Sequence, residues 1–230
     1  MKTIGIIGGM SWESSAEYYR LINEEVKARL GPSHSAELVM HSLDFHPIAQ
    51  LELLERWEEL AAILIATVAR LEKAGAEFVI MASNTAHKVA GAVLASTHIP
   101  LLHIADATAE EVVKDGVSTV GLLGTRFVME QDFYAQKFEE HGIRVLIPDA
   151  AQRNYVHNVI YSELCVGKLV PDSKEELRRI ILGLQRSGAD AVVLACTELP
   201  LLIHAENTQA RLFDTMALHV KKAVVWALEA

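Results

Sequence analysis

Short apolar runs alternate along the chain with longer segments in which apolar residues recur at helical spacing. The runs are rich in Val, Ile or Leu, which is typical of strands buried on both faces of a parallel sheet. The strand candidates are Thr3–Ile7, Leu38–His41, Phe78–Met81, Leu101–Ile104, Val117–Leu123, Val145–Ile147, Ala191–Ala195 and Arg211–Phe213. Strands that alternate with helices predict an α/β fold, with short, mostly parallel sheets flanked by helices.

Several helical segments have recognisable ends. The first is expected to begin at Ser11–Ser14, where Ser14-Ser15-Ala16-Glu17 has the pattern of a capping box, and to end at Gly31-Pro32. A long helix is expected over about Ala49–Lys73. The last segment, Asp214–Glu229, is amphipathic, and we expect it to pack back on the first half of the chain.

The sequence contains an internal repeat. Residues 74–85, AGAEFVIMASNT, match residues 187–198, SGADAVVLACTE, so that Ser83 is equivalent to Cys196 at an offset of 113. The first strand also matches, since Ile4–Gly9 corresponds to Val120–Thr125 at an offset of 116. Two matching segments in the same order indicate a duplicated α/β half.

Duplication predicts two similar domains, residues 1–105 with 214–230 and residues 106–213, related by a pseudo-two-fold axis. Open parallel sheets bind ligands at the carboxyl ends of their strands, and the repeat puts Ser83 and Cys196 at equivalent strand ends. If the halves face each other, the two side chains reach one ligand from opposite sides. That arrangement suits removal of a proton from one face of a carbon and its return to the other.

Composition and charge narrow the function classes. The chain has 230 residues, 51% of them hydrophobic, and a net charge of −9. An acidic chain without a basic run argues against nucleic-acid binding, and no apolar run approaches the ~20 residues of a membrane helix. Because the first strand begins at Thr3, no signal peptide is expected, and two cysteines favour a reduced, cytoplasmic setting.

Several motifs resemble those of the aspartate/glutamate racemase family, in the family's order and over essentially the whole chain. They are Gly8-Gly9-Met10-Ser11-Trp12-Glu13-Ser14 with Tyr18-Tyr19, Asp44-Phe45-His46, Ser83-Asn84-Thr85-Ala86-His87, Gly124-Thr125-Arg126-Phe127 with Phe133-Tyr134, Glu163-Leu164-Cys165-Val166-Gly167 and Cys196-Thr197-Glu198. The resemblance implies racemisation of an amino acid in a cleft between two α/β domains, commonly in a homodimer. It implies no cofactor, and in particular no pyridoxal phosphate.

The resemblance assigns the acid/base roles to Cys196 and Ser83. Ser83 departs from the family, because members with two thiols have a cysteine at its position. A helix N-terminus after the strand of Cys196 is expected to lower the thiol pKa, whereas a serine hydroxyl is a poor base without a partner. We therefore expect unequal groups to serve the two faces of the substrate.

The resemblance also assigns substrate contacts. The expected substrate-binding residues are Met10, Asn84, Thr85, Thr125, Thr197 and Lys168. Lys168 matches a lysine of aspartate-selective relatives, but their arginine has no counterpart near His46, so neutral amino acids stay open as substrates. No metal is expected, because the ten histidines show neither H-x-H nor H-E-x-x-H spacing.

Three alternatives remain open from the residues. A decarboxylase or isomerase of the same superfamily needs only one productive thiol, which fits Cys196 alone. A non-catalytic module that binds a small acid is consistent with the loss of the other thiol. A nucleotide-binding enzyme is disfavoured, because Gly5-Ile6-Ile7-Gly8-Gly9 lacks G-x-G-x-x-G spacing and a phosphate-binding lysine. Of the remaining candidates, Cys165 is expected in the core, and Glu13, Glu163 and His87 are open between structural and cleft roles.

Overall fold

The computed structural model describes residues 1–204, 206 and 208–229. In these residues the strands are β1 (Ile4–Gly8), β2 (Leu38–Ser42), β3 (Phe78–Met81), β4 (Thr119–Gly124), β5 (Arg144–Leu146), β6 (Ala191–Ala195) and β7 (Leu212–Asp214). The α-helices are α1 (Trp12–Leu30), α2 (Phe45–Leu53), α3 (Trp57–Lys73), α4 (Ala90–Leu94), α5 (Ile104–Lys114), α6 (Arg126–Glu130), α7 (Asp132–Glu140), α8 (Ala150–Ser162), α9 (Pro171–Arg186) and α10 (Thr215–Leu228). Short 3-10 helices lie at Thr85–Val89, Leu164–Val166 and Leu199–Leu201.

The strands form two parallel sheets, and the predicted α/β class is confirmed. The strand order is β2-β1-β3 in one sheet and β5-β4-β6-β7 in the other. Every residue of β1, β3 and β6 is buried, which explains why these strands appear in the sequence as unbroken apolar runs. Among the described residues, no helix has the length and apolar character that would let it span a bilayer.

The sequence repeat is visible in the hydrogen bonds that join the strands. In the first sheet, the Thr3 amide donates to the Glu77 carboxylate at 2.7 Å, and the Glu77 amide donates to the Thr3 carbonyl at 2.9 Å. In the second sheet, the Thr119 amide donates to the Asp190 carboxylate at 3.0 Å, and the Asp190 amide donates to the Thr119 carbonyl at 2.9 Å. Glu77 and Asp190, which are equivalent in the repeat, therefore make the same hydrogen bonds at the start of the β1–β3 and β4–β6 pairs.

The predicted strand Leu101–Ile104 is wrong in extent. Only Leu101 makes a parallel bridge, to Val79, and Ile104 already begins α5. The Val79 amide donates to the Pro100 carbonyl at 2.9 Å, and the Leu102 amide donates to the Val79 carbonyl at 3.0 Å. The bridge occupies the place that β7 fills beside β6 in the second sheet, but the backbone turns into α5 before a ladder can form.

Helix α1 spans the predicted segment, but its cap differs from the prediction. It begins after Ser11, whose hydroxyl accepts from the Ser14 amide at 3.3 Å, and it ends before Gly31. Ser14 and Ser15 lie inside the first turn and are buried, so they cannot cap it. The Ser15 hydroxyl instead accepts from the Gly9 amide at 2.7 Å and donates to the Ser11 carbonyl at 2.8 Å.

The long helix predicted over Ala49–Lys73 is two helices, α2 and α3. Between them Glu55 adopts a positive φ of 53°, which no α-helix accommodates. Leu53 lies one heptad before the buried Leu60 and would share its face in a continuous helix, yet Leu53 is 44% exposed. The chain therefore reorients between α2 and α3, and residue spacing alone does not show this.

The chain divides into two compact units. The first unit comprises Met1–Ile104 and the C-terminal segment that starts at His219, and the second comprises Ala105–Leu218. Within the first unit, Trp226 of α10 packs edge-on against Phe78 of β3 with 5.7 Å between ring centroids. The Lys2 amide donates to the Ala227 carbonyl at 2.7 Å.

Candidate active site

Four predicted site residues lie at the carboxyl edge of the sheet in the first unit. Met10 follows β1 closely, and Ser83, Asn84 and Thr85 follow β3. All four are buried. Parallel pairing of β1 with β3 continues past the strands, because the Ala82 amide donates to the Ile7 carbonyl at 2.9 Å. The structure thus brings the β1 loop and the Ser83 turn to one edge.

Ser83 sits in a tight turn without a base for its hydroxyl. Its Oγ accepts from the Ala86 amide at 3.3 Å, and its carbonyl contacts Nδ1 of His87 at 2.7 Å. Among the described residues, no carboxylate or imidazole accepts a hydrogen bond from this hydroxyl. The turn continues as the 3-10 helix Thr85–Val89. Asn84 therefore directly precedes a five-residue 3-10 helix.

The loop after β1 is held by close backbone packing. Gly9 has a φ of 83°, and a Cβ built on it would lie 2.1 Å from the carbonyl oxygen of Leu43. Only glycine fits such a position. Ser11 and Ser15 complete the loop through the hydrogen bonds at the start of α1. Neither serine is among the predicted site residues, and the available signal was their closeness to Gly8-Gly9 in the sequence.

The second unit contributes Thr125, Cys196 and Thr197 at the carboxyl edge of its sheet. Parallel pairing of β4 with β6 extends to Gly124 and Ala195, so the residues that follow them begin at the same edge. Thr125 caps α6, because its hydroxyl accepts from the Val128 amide at 3.4 Å. All three residues are buried.

Glu198 is the main residue that the sequence analysis missed. It is 3% exposed, and its Oε2 accepts from the Cys196 thiol at 3.1 Å and from the Thr197 hydroxyl at 2.8 Å. The carboxylate therefore lies next to the proposed acid/base thiol. Its position in Cys196-Thr197-Glu198 was the available signal, since an acid directly after buried residues needs partners.

The structure corrects the predicted acidity of the thiol. Burial raises the pKa of Cys196 well above its ordinary value, and electrostatic interaction with Glu198 and Cys165 raises it further. The expected lowering rested on a helix N-terminus after β6. The segment there is the three-residue 3-10 helix Leu199–Leu201, which has too few aligned peptide units to offset burial.

Cys165 and Lys168 lie on the segment after α8. Cys165 is partly buried and packs against the hydrophobic cluster that includes Cys196, so it lies at the margin of the predicted core. Lys168 is exposed, and its amide closes the turn by donating to the Glu163 carbonyl at 2.8 Å. Cys196 and Lys168 thus belong to one unit.

Two carboxylates near these edges keep a buried oxygen without a partner. They are Glu13, in the first turn of α1, and Glu163, which follows α8. Neither Oε2 has a hydrogen-bond partner among the described residues. An unpaired buried carboxylate oxygen is costly, so a cationic or hydrogen-bonding ligand group would be favourable there.

Comparison with known proteins identifies the family of the chain. The family model described as Asp/Glu/Hydantoin racemase matches residues 7–223. A solved structure from Yersinia pestis, provisionally assigned as an Asp/Glu racemase, is 45% identical with a TM-score of 0.91, and both chains are covered completely. An aspartate racemase homologue from Pyrococcus horikoshii OT3 is 37% identical with a TM-score of 0.84, again over both complete chains.

A curated relative adds sequence evidence to the structural likeness. The broad specificity amino-acid racemase RacX of Bacillus subtilis (strain 168) is 22% identical over 227 residues, which are 96% of each chain. The alternatives of a decarboxylase, of another isomerase of the superfamily and of a non-catalytic binding module find no support among these proteins. The chain belongs to the Asp/Glu/hydantoin racemase family.

Proposed function

We propose that the protein is an amino-acid racemase in which Cys196 and Ser83 exchange protons with opposite faces of the substrate's α-carbon. The observation that carries the proposal is the hydrogen bond between the Cys196 thiol and the buried Glu198 carboxylate, 3.1 Å long. A thiol with an acceptor for its proton, at the carboxyl edge of a parallel sheet, is suited to remove an α-proton. Family membership and the names of the relatives support the same reaction class.

Glu198 compensates for the weak acidity of the thiol. Because the pKa of Cys196 is raised well above its ordinary value, little thiolate forms at neutral pH in the free protein. In the proposed step, Sγ takes the proton from Cα as its own proton passes to Oε2 of Glu198. The carboxylate becomes a carboxylic acid, and the electron pair of the broken C–H bond remains on the substrate.

Ser83 is proposed to deliver a proton from its hydroxyl to the other face of the α-carbon. The Ala86 amide, which donates to Oγ at 3.3 Å, stabilises the charge left on the oxygen. Water then protonates that oxygen, and the hydroxide that forms takes up, through solvent, the proton held by Glu198. Since Ser83 has no base comparable to Glu198, this step is slower than the step at Cys196. The enantiomer whose α-proton faces Cys196 should therefore exchange that proton faster than it inverts.

Substrate binding is proposed for residues that follow strands β1, β3, β4 and β6, together with Lys168 on the segment after α8. The residues assigned to it are Met10, Asn84, Thr85, Thr125, Thr197 and Lys168. The buried, unpartnered Oε2 of Glu13 is a suitable acceptor for the substrate's α-ammonium group. Because the carboxylate groups at these edges repel anions, hydroxyl and amide donors are needed to hold the α-carboxylate.

Lys168 is proposed to bind the side-chain carboxylate of an acidic substrate. Replacing it with alanine should raise the KM for aspartate or glutamate about tenfold, in line with a charge-assisted hydrogen bond weakened by exposure. The KM for alanine should stay unchanged, and Lys174→Ala on α9 is the matched control. Equal effects of Lys168→Ala on acidic and neutral substrates would contradict the assignment.

We also propose that the protein is a cytoplasmic homodimer, in keeping with the family it resembles. Trp12 and Tyr19 support a contact surface on α1, because they lie seven residues apart on one helix face and are 68% and 54% exposed. Light scattering after size-exclusion chromatography should give twice the chain's 25.3 kDa. The monomer mass at micromolar concentration would refute the dimer.

The proposed reaction is tested by incubation with each enantiomer of several amino acids in D2O, with NMR and chiral analysis of the products. One enantiomer should gain deuterium at Cα faster than it inverts. Cys196→Ser should abolish exchange, whereas the matched variant Cys165→Ser should retain it. Undiminished exchange in Cys196→Ser, or no deuterium in any amino acid with the unmodified protein, would overturn the proposed function.

A further inference from the structure

Buried histidines form a cluster in the first unit, next to Ser83 but outside the assigned acid/base pair. His87 and His219 are 2% and 0% exposed. The ring centroid of His87 lies 4.5 Å from that of His103 and 5.9 Å from that of His219. Burial and the neighbouring rings lower the pKa of His87 well below its ordinary value, so this ring is neutral at neutral pH.

The hydrogen bonds of His87 determine which nitrogen carries its proton. The Ile104 amide donates to Nε2 at 3.3 Å, which requires an unprotonated Nε2. In a neutral ring the hydrogen is then on Nδ1, which donates to the Ser83 carbonyl at 2.7 Å. The side chain therefore ties the backbone of Ser83 to the segment that leads into α5.

The hydrogen bond from His87 to the Ser83 carbonyl stabilises a turn whose own backbone hydrogen bonds are weak. The segment Thr85–Val89 is a 3-10 helix, whose hydrogen bonds have poorer geometry than those of an α-helix. The His87 amide donates to the Asn84 carbonyl at 3.2 Å, and the ring supplies the additional bond one residue earlier. The orientation of the Ser83 carbonyl sets the peptide plane that follows the residue carrying the proposed acid.

We propose that His87 is a positioning residue that fixes Ser83 for proton delivery, by donating from Nδ1 to the Ser83 carbonyl. The inference rests on the proposed function. Its consequence is expected at the Ser83 face of the substrate, because the contacts of His87 given above are with Ser83, Ile104 and the neighbouring histidine rings. Loss of the bond should impair inversion and leave exchange at Cys196 intact.

The second unit shows that the histidine is not required to build this kind of turn. At the same offset that relates Ser83 to Cys196, the residue equivalent to His87 is Pro200. The turn after β6 nevertheless forms, and the Leu199 amide donates to the Cys196 carbonyl at 3.2 Å. There the reactive side chain is held by Glu198 instead. A histidine at this position therefore occurs only in the repeat that carries Ser83, whereas the repeat that carries Cys196 has Pro200.

The test compares His87→Asn with His87→Gln. The Asn amide nitrogen can take the place of Nδ1 and should preserve the bond to Ser83, whereas the Gln amide mimics Nε2 and should lose it. In D2O, His87→Gln should invert its substrate about 10–100-fold more slowly, with exchange at the Cys196 face within threefold of the unmodified protein. His87→Asn should keep both rates within threefold.

His219→Gln is the matched control, because it alters the same buried cluster without touching Ser83. It should lower stability and leave the ratio of inversion to exchange unchanged. If His87→Gln does not fold, His87→Leu, which also removes the donor, replaces it with the same expectation. Equal loss of exchange and inversion, or an unchanged ratio in the variant without the donor, would overturn the proposal. Absence of exchange in the unmodified protein would instead refute the proposed function itself.

Discussion

At Cys196, burial and the nearby carboxylate both oppose ionisation of the thiol, yet the carboxylate is also the group that can accept its proton. Through the Sγ–Oε2 hydrogen bond of 3.1 Å, Glu198 both raises the thiol pKa and lies in position to accept the thiol proton. The pKa of the Cys196 thiol and the rate at which it can remove an α-proton are therefore set by different effects of Glu198. A variant that removes the charge of Glu198 separates them.

Glu198→Gln should make the thiol more acidic and the enzyme slower. The pKa of Cys196 falls because the neighbouring negative charge is gone, so alkylation by iodoacetamide should begin at lower pH. Inversion should fall about 100-fold, because the proton acceptor is lost. Thr197→Ser, which keeps a hydroxyl beside Glu198, is the control. A faster enzyme would show that thiolate content alone limits the reaction.

Gly9→Ala should strongly destabilise the first unit. A Cβ at this position meets the Leu43 carbonyl oxygen at 2.1 Å, and φ is 83°, so both sterics and backbone strain oppose it. We expect a loss of about 3 kcal/mol or more in urea unfolding. Gly75→Ala, with φ of 95° and nothing within 4 Å, should cost only about 1–2 kcal/mol. Equal losses would contradict the packing argument.

The sequence predicts the positions of reactive residues where the internal repeat aligns them. It does not predict roles that depend on contacts in the folded chain. Cys196 and Ser83 follow from an alignment of the chain with itself. The roles of Glu198 and His87 do not, because each depends on a turn geometry that brings residues two or four positions apart into contact. The prediction that the pKa of Cys196 is lowered was wrong for the same reason, since residue spacing does not show how deeply a thiol is buried.

At the scale of elements, strands were more predictable than helix boundaries. Strands β3 and β6 coincide with their predicted bounds, because every residue of both is buried and a glycine, Gly75 or Gly188, lies three positions before each. The break between α2 and α3 was missed, because no glycine or proline marks it and Glu55 carries the positive φ. Helix starts depend on single side-chain hydrogen bonds, which several nearby serines could make.

Asp149→Ala should destabilise the protein by about 1 kcal/mol through loss of the cap of α8. The Asp149 carboxylate accepts from the Gln152 amide at 2.9 Å, and the Gln152 side chain accepts in turn from the Asp149 amide at 3.4 Å. Asp172→Ala is the control, because Asp172 lies in the first turn of α9 without serving as its cap. Thermal or urea unfolding measures the difference, and equal losses would contradict a specific capping role.

At the scale of the whole molecule, the sequence repeat coincides with hydrogen bonds that the two sheets share, and the sheets differ elsewhere. Thr3 with Glu77 and Thr119 with Asp190 keep the same strand-closing bonds. The fourth strand is a full ladder beside β6 and a single bridge beside β3. A sequence repeat predicts the common core, because buried apolar strands form that core. The edges of the two sheets differ, because local contacts determine their structure.

Acid sensitivity should arise in the first unit from His219. Its Nε2 contacts the Leu102 carbonyl at 3.0 Å, its Nδ1 contacts the Tyr18 hydroxyl at 2.9 Å, and His87 lies beside it. Burial lowers the pKa of His219 from 6.5 to about 4. Between these values the unfolded chain binds a proton that the native ring does not, so the free energy of unfolding falls as pH falls.

The expected loss from His219 is about 3 kcal/mol from pH 7 to below pH 4, with most of it in the window between pH 6.5 and 4. His219→Gln keeps a donor for the Leu102 carbonyl but does not titrate. It should be less stable than the unmodified protein at pH 7.5, because Tyr18 loses its acceptor, and the difference should shrink as the pH falls. Urea unfolding at pH 7.5, 6, 5 and 4.5 measures this, with the exposed His34→Gln as control. Parallel stability curves for the unmodified protein and His219→Gln would show that the buried ring does not determine the acid response.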